Sequence, residues 1–289
     1  EVRAAVRAAR AEGRRVGFVP TMGWLHEGHL SLVDRAKARD AWVVLSVYVN
    51  PLQFGPAEDF ERYPRDLERD ARLAEARGVD CFFAPTDREI YPDFPARPAV
   101  TVVPRALADR LCGLARPGHF EGVLTVVAKL FHIVQPDFAV FGQKDFQQAV
   151  LVRRMVRDLD WPIEIEVAPT VREPDGLAMS SRNEYLSPEE RVRARALSRG
   201  LAAAVRAFRA GERDAARLRE TARAVLAAEP GVEVEYVELV DPETLDPVGR
   251  ASERDVLAVA ARVGPARLID NVILGAPDPQ LAERVARSD

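Results

Sequence analysis

The chain has 289 residues, 47% of them hydrophobic and 30% charged, which is enough apolar material for a sizeable core and too much for a disordered chain. Basic residues number 41 and acidic residues 45, and this formal net charge of -4 argues against a general nucleic-acid binder. No apolar run approaches the roughly 20 residues that cross a bilayer, the first residues carry no secretory apolar block, and Cys81 and Cys112 are too few for a disulfide framework, so the expectation is a cytoplasmic protein without membrane association and with both thiols reduced.

In chain order, residues 2–12 read as a helix closed by Gly13, Val16–Val19 as a short buried strand, and residues 27–39 as a helix. Trp42–Val49 is a near-continuous apolar run, the mark of a strand covered on both faces. Residues 65–77 are helical in pattern up to Gly78, and Cys81–Ala84 reads as the next strand. A Pro-rich loop leads to a helix over 122–134, a strand at Phe138–Phe141, a helix over 146–158 and a strand at Ile163–Val167. Such alternation predicts an α/β, doubly wound parallel sheet with helices on both faces, and ligands bind beyond the carboxyl ends of its strands. The pattern changes at the polar stretch 170–183. Ser187-Pro188-Glu189-Glu190 then opens a helix with a capping box and Pro at its first position. Helices over 188–209 and 213–228, and strands at Val232–Val240, Val256–Ala261 and Leu268–Leu274, predict a smaller C-terminal α+β domain. The expected division is 1–170 and 171–289.

The chain is rich in Arg but has only three Lys, four His, three Met and three Asn, so the placement of these scarce residues is informative. Four segments at predicted strand ends stand out. In Met22-Gly23-Trp24-Leu25-His26-Glu27-Gly28-His29, the two His are three apart and share one face of a helix start. Free N–H groups and the partial positive charge there suit phosphates. A His-Glu-x-x-His zinc site needs a spacing of four. Asn50 and Gln53 follow the second strand and offer amides for hydroxyl and carboxylate groups, or form an ordinary Asn-Pro turn. Gly142-Gln143-Lys144-Asp145 precedes Phe146-Gln147-Gln148; Lys144 suits a phosphate, whereas Asp145 and Gln148 have the spacing of a capping box and can serve the helix alone. Met179-Ser180-Ser181-Arg182 offers hydroxyls and a guanidinium to phosphate oxygens, or is a polar linker.

His26-Glu27-Gly28-His29 resembles the His-x-Gly-His signature of the nucleotidyltransferase superfamily, and Met179-Ser180-Ser181-Arg182 resembles its second, Lys-Met-Ser-Lys-Ser-like motif. Together with Asn50 to Gly55, Gly142 to Gln148 and Arg116-Pro117-Gly118-His119-Phe120-Glu121-Gly122-Val123, they make the whole chain similar to the pantothenate synthetase (pantoate–β-alanine ligase) family. The resemblance implies a Rossmann-like first domain, a smaller C-terminal lid domain, a cytoplasmic homodimer, and ATP-dependent joining of pantoate and β-alanine through pantoyl-adenylate with Mg²⁺. It implies ATP contacts from Met22, Gly23, Trp24, Leu25, His26, Glu27, Gly28 and His29, from Gly142, Gln143, Lys144 and Asp145, and from Val171, Met179, Ser180, Ser181 and Arg182. It also implies substrate contacts from Asn50, Gln53 and Gln148, and catalytic roles for His29, His26 and Lys144. No metal ligand is nominated. Gln143 departs from the family pattern, which has Glu there, and little effect is expected. Related adenylyl- or cytidylyltransferases and aminoacyl-tRNA synthetase fragments share the first two motifs, but no tRNA-binding domain is visible. A nucleotide sensor without turnover is the rival of another class, and the substrate-facing amides beside the nucleotide motifs speak against it.

Overall fold

The computed structural model describes residues 1–56, 58–276 and 279–281. From the N-terminus, α1 (Val2–Ala11) buries Val6 and Ala9 and leads into β1 (Val16–Thr21), α2 (Glu27–Lys37) and β2 (Trp42–Val47). Then come α3 (Leu67–Ala76), β3 (Cys81–Phe83) and two short helices, α4 (Asp87–Ile90) and α5 (Leu111–Ala115). The alternation is completed by α6 (His119–Val134), β4 (Phe138–Gly142), α7 (Phe146–Asp158) and β5 (Glu164–Ala168). The five strands pair in parallel in the order β3-β2-β1-β4-β5. This is the predicted α/β sheet, and its core gathers Val19, Leu45, Val140 and Ala168 from the strands against Leu30 and Val33 of α2.

The order reverses between β1 and β4, so the crevice for a ligand opens beyond the carboxyl ends of these two strands. Pro20 helps to open it. Val16 directs its N–H to the Asp137 carboxylate and its C=O to the Asp137 N–H, on the β4 side. Strand alternation puts Pro20, four residues on, on that same side, where it has no N–H to give. Pairing of β1 with β4 stops at Phe18 with Ala139, whereas pairing with β2 continues to Thr21 with Val47.

The chain divides into two compact units, one of Glu1–Gly142 with Gln147–Ala168, the other of Gln143–Phe146 with the residues from Pro169 onward. The second unit contains α8 (Pro188–Ala194), α9 (Ala196–Arg209), α10 (Ala215–Ala227) and an antiparallel sheet of β6 (Val232–Val240), β7 (Val256–Val263) and β8 (Ala266–Ile273). Leu197, Leu201, Val205 and Phe208 of α9 and Leu218 and Leu226 of α10 cover Leu257, Val259 and Val272 of the sheet.

Several bounds differ from the sequence expectation. The single helix predicted over 188–209 is divided at Arg195 into α8 and α9; the Arg195 carbonyl accepts from both the Ser198 hydroxyl and the Arg199 N–H. Its start is as predicted, with the reciprocal Ser187–Glu190 capping box and Pro188 in the first turn. The strand predicted to reach Val49 ends at Val47, because Asn50-Pro51 begins a turn. The helix predicted from 122 starts at His119, after Gly118 at φ +79°. No helix among the described residues is long and apolar enough to cross a membrane.

Candidate active site

The segment after β1 is held by groups outside it. Gly23 and Trp24 both take positive φ, +83° and +50°. A Cβ on Gly23 would lie 2.7 Å from Val47 Cγ1 and 2.9 Å from Asp70 Oδ2, so glycine is required there by space as well as by backbone conformation. Asp70, on α3 and 1% exposed, accepts the Trp24 and Leu25 N–H groups, one on each oxygen, both at 2.8 Å. Arg69 donates to the Leu25 carbonyl at 2.9 Å and lies over the Trp24 ring. Leu25 itself is fully buried, with its N–H and carbonyl both engaged inside the protein.

His26 is the N-cap of α2, and Glu27, Gly28 and His29 form its first turn. The two imidazoles stack with centroids 4.0 Å apart and planes at 27°, the outcome of a three-residue spacing at a helix start. The Glu27 carboxylate is taken by Arg77, which also pairs with Asp34. The geometry thus offers two imidazoles and the N-terminal end of a helix beside the crevice, a set suited to phosphate oxygens.

Asn50 is 1% exposed and fully engaged inside the protein. Its carbonyl oxygen accepts from the Tyr91 hydroxyl at 2.8 Å and the Leu52 N–H at 3.3 Å, and its amide donates to Gln53 Oε1 at 3.0 Å and the Gly122 carbonyl at 3.1 Å. The ordinary-turn reading therefore describes it: Asn50 caps the 3-10 turn Pro51–Gln53 and holds Gln53 in place, its amide engaged inside the protein. Gln53 Nε2 meets the Met22 sulfur at 3.0 Å, which brings the first two predicted segments together. The Gln53 carbonyl is held by His119 Nδ1 at 2.8 Å. Arg116 bridges His119 Nε2 and the Glu58 carboxylate. With Nδ1 donating to a carbonyl and Nε2 accepting from a guanidinium, this is the neutral His119 tautomer. Burial opposes ionisation of Glu58, but the Arg116 hydrogen bonds outweigh it and hold the carboxyl below its usual range.

The two neighbouring glutamines of α7 have different tasks. Gln147 is buried, donates to the Leu107 and Arg110 carbonyls at 2.7 and 2.8 Å, and accepts from the Gly113 N–H at 3.3 Å. Gln148 is half-buried. The predicted Asp145–Gln148 capping box is not formed: residues Gln143–Asp145 make a 3-10 turn ahead of α7, and Asp145 instead lies 3.7 Å from the Lys144 ammonium.

Gly142 ends β4 in the first unit, and the remaining predicted residues belong to the second. The Gln143 and Lys144 carbonyls accept from Asn271 Nδ2 at 2.9 and 3.0 Å, and Gln143 Nε2 donates back to Asn271 Oδ1 at 3.2 Å. Gln143 thus gives Asn271 a hydrogen that a glutamate there could not. Val171 accepts from the Met179 N–H at 3.0 Å, and Arg172 and Ala178 bridge antiparallel between them. Ser180 caps the 3-10 turn Ser181–Tyr185 through the Arg182 N–H. Ser181 is 5% exposed, and Asn183 donates to the Ala178 carbonyl. No group of three His, Cys, Asp or Glu side chains suited to a metal ion occurs among the described residues.

Sequence reasoning did not find Asp70, Gln147 or Asn271. Asn271 had a signal: it is the third of only three asparagines and follows Asp270 inside an apolar strand. Asp70 and Gln147 carry none, since each looks like any polar residue on a helix.

A family model described as pantoate-beta-alanine ligase matches residues 1–273. The chain belongs to the pantoate–β-alanine ligase family. A pantothenate synthetase of Pelotomaculum thermopropionicum is 56% identical over 275 residues, covering 95% of this chain and 96% of the relative. That of Thermotoga neapolitana is 56% identical over 267 residues, covering 92% of this chain and 94% of the relative. Among solved structures, the pantothenate synthetase of Thermus thermophilus superposes with a TM-score of 0.88 at 50% identity over 94% of this chain and 97% of its own. The pantoate–β-alanine ligase of Francisella tularensis, complexed with beta-gamma ATP and beta-alanine, has a TM-score of 0.74 at 30% identity over 95% of this chain and 96% of its own. The pantoate–β-alanine ligase family is thus matched in sequence and fold alike.

Proposed function

We propose that this chain condenses pantoate with β-alanine at the expense of ATP, giving pantothenate, AMP and pyrophosphate through pantoyl-adenylate. The observation that carries the reading is the family match over residues 1–273; the stacked His26–His29 pair at the end of β1 gives it a chemical basis.

The pantoate carboxylate is ionised at neutral pH and needs no general base. Its oxygen attacks the α-phosphorus, and the bond to the pyrophosphate oxygen breaks. The chain must supply alignment and stabilise the charge that builds on the phosphates. His26, His29, Lys144, Ser180, Ser181 and Arg182 are assigned to this work, together with the backbone of Met22–Leu25, Glu27–Gly28, Gly142, Gln143, Val171 and Met179. Asp145 is assigned to ribose hydroxyls. Gln53 and Gln148 are assigned to substrate hydroxyl and carboxylate groups, and Asn50 to orienting Gln53. In the second step the neutral β-alanine amine attacks the acyl carbon, AMP leaves and one proton is lost. The reading includes Mg²⁺, which would neutralise triphosphate charge when bound. It also includes a cytoplasmic homodimer, and light scattering of the purified protein checks the dimer.

An AMP-release assay that omits pantoate and β-alanine in turn tests the reaction: release is expected only with both, and release without pantoate sinks it. Single-turnover formation of pantoyl-adenylate is expected to fall roughly 10²- to 10³-fold in His29→Ala and Lys144→Ala; wild-type rates in both would remove their assignment.

A further inference from the structure

Arg172 and Asp270 form an ion pair with side chains only 0% and 2% exposed. The guanidinium engages both carboxylate oxygens, at 2.6 and 3.0 Å, in the bidentate geometry that suits this pair. Burying two charges costs hydration that their attraction hardly returns, so a buried pair is poorly explained by stability alone. Its neighbours supply another explanation. Arg172 lies inside the antiparallel pairing whose next rung is Val171 with Met179. Arg172 also donates to the Gly176 carbonyl, and its N–H is taken by Gln280. On the other side, Asp270 Oδ1 accepts the Asn271 N–H at 2.8 Å. The Asn271 amide gives both its hydrogens to the Gln143 and Lys144 carbonyls and accepts from Gln143, which leaves it one way to point. A continuous path of hydrogen bonds therefore joins the Val171–Met179 segment to the Lys144 turn, through the interior of one unit.

We propose that Arg172, Asp270 and Asn271 are positioning residues that hold the Lys144 turn and the Val171–Met179 segment in one geometry for binding the ATP triphosphate. The inference rests on the ligase reading above, in which both segments contact ATP. These three residues touch no substrate; they act through the backbone that they fix. Disturbing them weakens ATP recognition and leaves pantoate and β-alanine recognition intact.

Two variants test this. Asn271→Leu keeps the size of the side chain and removes every hydrogen it gives. The double variant Arg172→Met/Asp270→Leu replaces the ion pair with apolar side chains, an exchange that interiors often tolerate. For both, KM for ATP is expected to rise roughly 10- to 100-fold while KM for pantoate and for β-alanine stays within about twofold. Calorimetric affinity for a non-hydrolysable ATP analogue should fall in parallel. A network that only holds the fold together predicts otherwise: the double variant, once folded, would bind the analogue like wild type, and that result overturns the proposal. So does an unchanged KM for ATP in Asn271→Leu. Wild-type protein that binds the analogue but releases no AMP would overturn the ligase reading instead, and the analogue titration would still report on the network.

Discussion

At the scale of single residues, the site's backbone is held by side chains that act inside the protein, Asp70 and Glu58 among them. Asp70 receives two consecutive N–H groups of the segment that precedes His26. In Asp70→Asn, one of those donors faces an amide NH₂, so about 1–3 kcal/mol of stability should be lost, the cost of an unmet buried donor. The adenylation rate should fall with it; a denaturant titration and a single-turnover assay on the same preparation check both. Glu58 works through Arg116 and His119 on the backbone of Gln53. Because its folded carboxyl lies below the usual range, its contribution to stability is fully present above the ordinary Glu value near about pH 4 and is lost as pH falls through the lowered one. Glu58→Gln should therefore lower the melting temperature at neutral pH and flatten its acid dependence. An acid limb as steep as wild type would contradict the assignment. The scarce residues were a partial guide at this scale. They singled out His26, His29, Lys144 and Asn50, whereas Asp70 could be found only once the chain had been folded past it.

At the scale of elements, the contact between α6 and the Asn50 turn decides where Gln53 lies. A Cβ on Gly122 would sit 2.3 Å from the Leu52 carbonyl oxygen and 2.6 Å from the Gln53 nitrogen, both backbone atoms. Gly122→Ala must push the turn away from α6, at about 1–3 kcal/mol for overpacking. We expect KM for pantoate to rise in this variant more than KM for ATP, and steady-state kinetics with each substrate varied separately will show which moves. The strands were legible because a strand covered on both faces is a run of mostly apolar residues, as at Trp42–Val47, where five of the six are buried. Helix bounds were less legible. The break at Arg195 and the start at His119, after a left-handed Gly118, do not alter the apolar period.

At the scale of the whole molecule, alternation of strand and helix predicted the parallel sheet, and the change of pattern after 170 predicted a smaller α+β domain, whose sheet is antiparallel. The assignment of Gln143–Phe146 to the second unit was not legible, because it rests on contacts such as those of Asn271 far along the chain. If ATP binds as proposed, the polar segment 171–183 should gain protection from hydrogen exchange with ATP present; equal exchange with and without the nucleotide would count against it. The long reach of Asn271 also has a temporal side. The Lys144 turn and its fastening amide are 127 residues apart, and ribosomes add roughly 5–20 residues per second. The turn is thus made roughly 6–25 seconds before Asn271, and the parallel sheet can be complete while Lys144 still lacks its anchor. A nascent or truncated chain that ends before β8 is left with a finished parallel sheet and an unfastened Lys144 turn, so if that turn holds ATP as proposed, competence to bind it arrives only with β8.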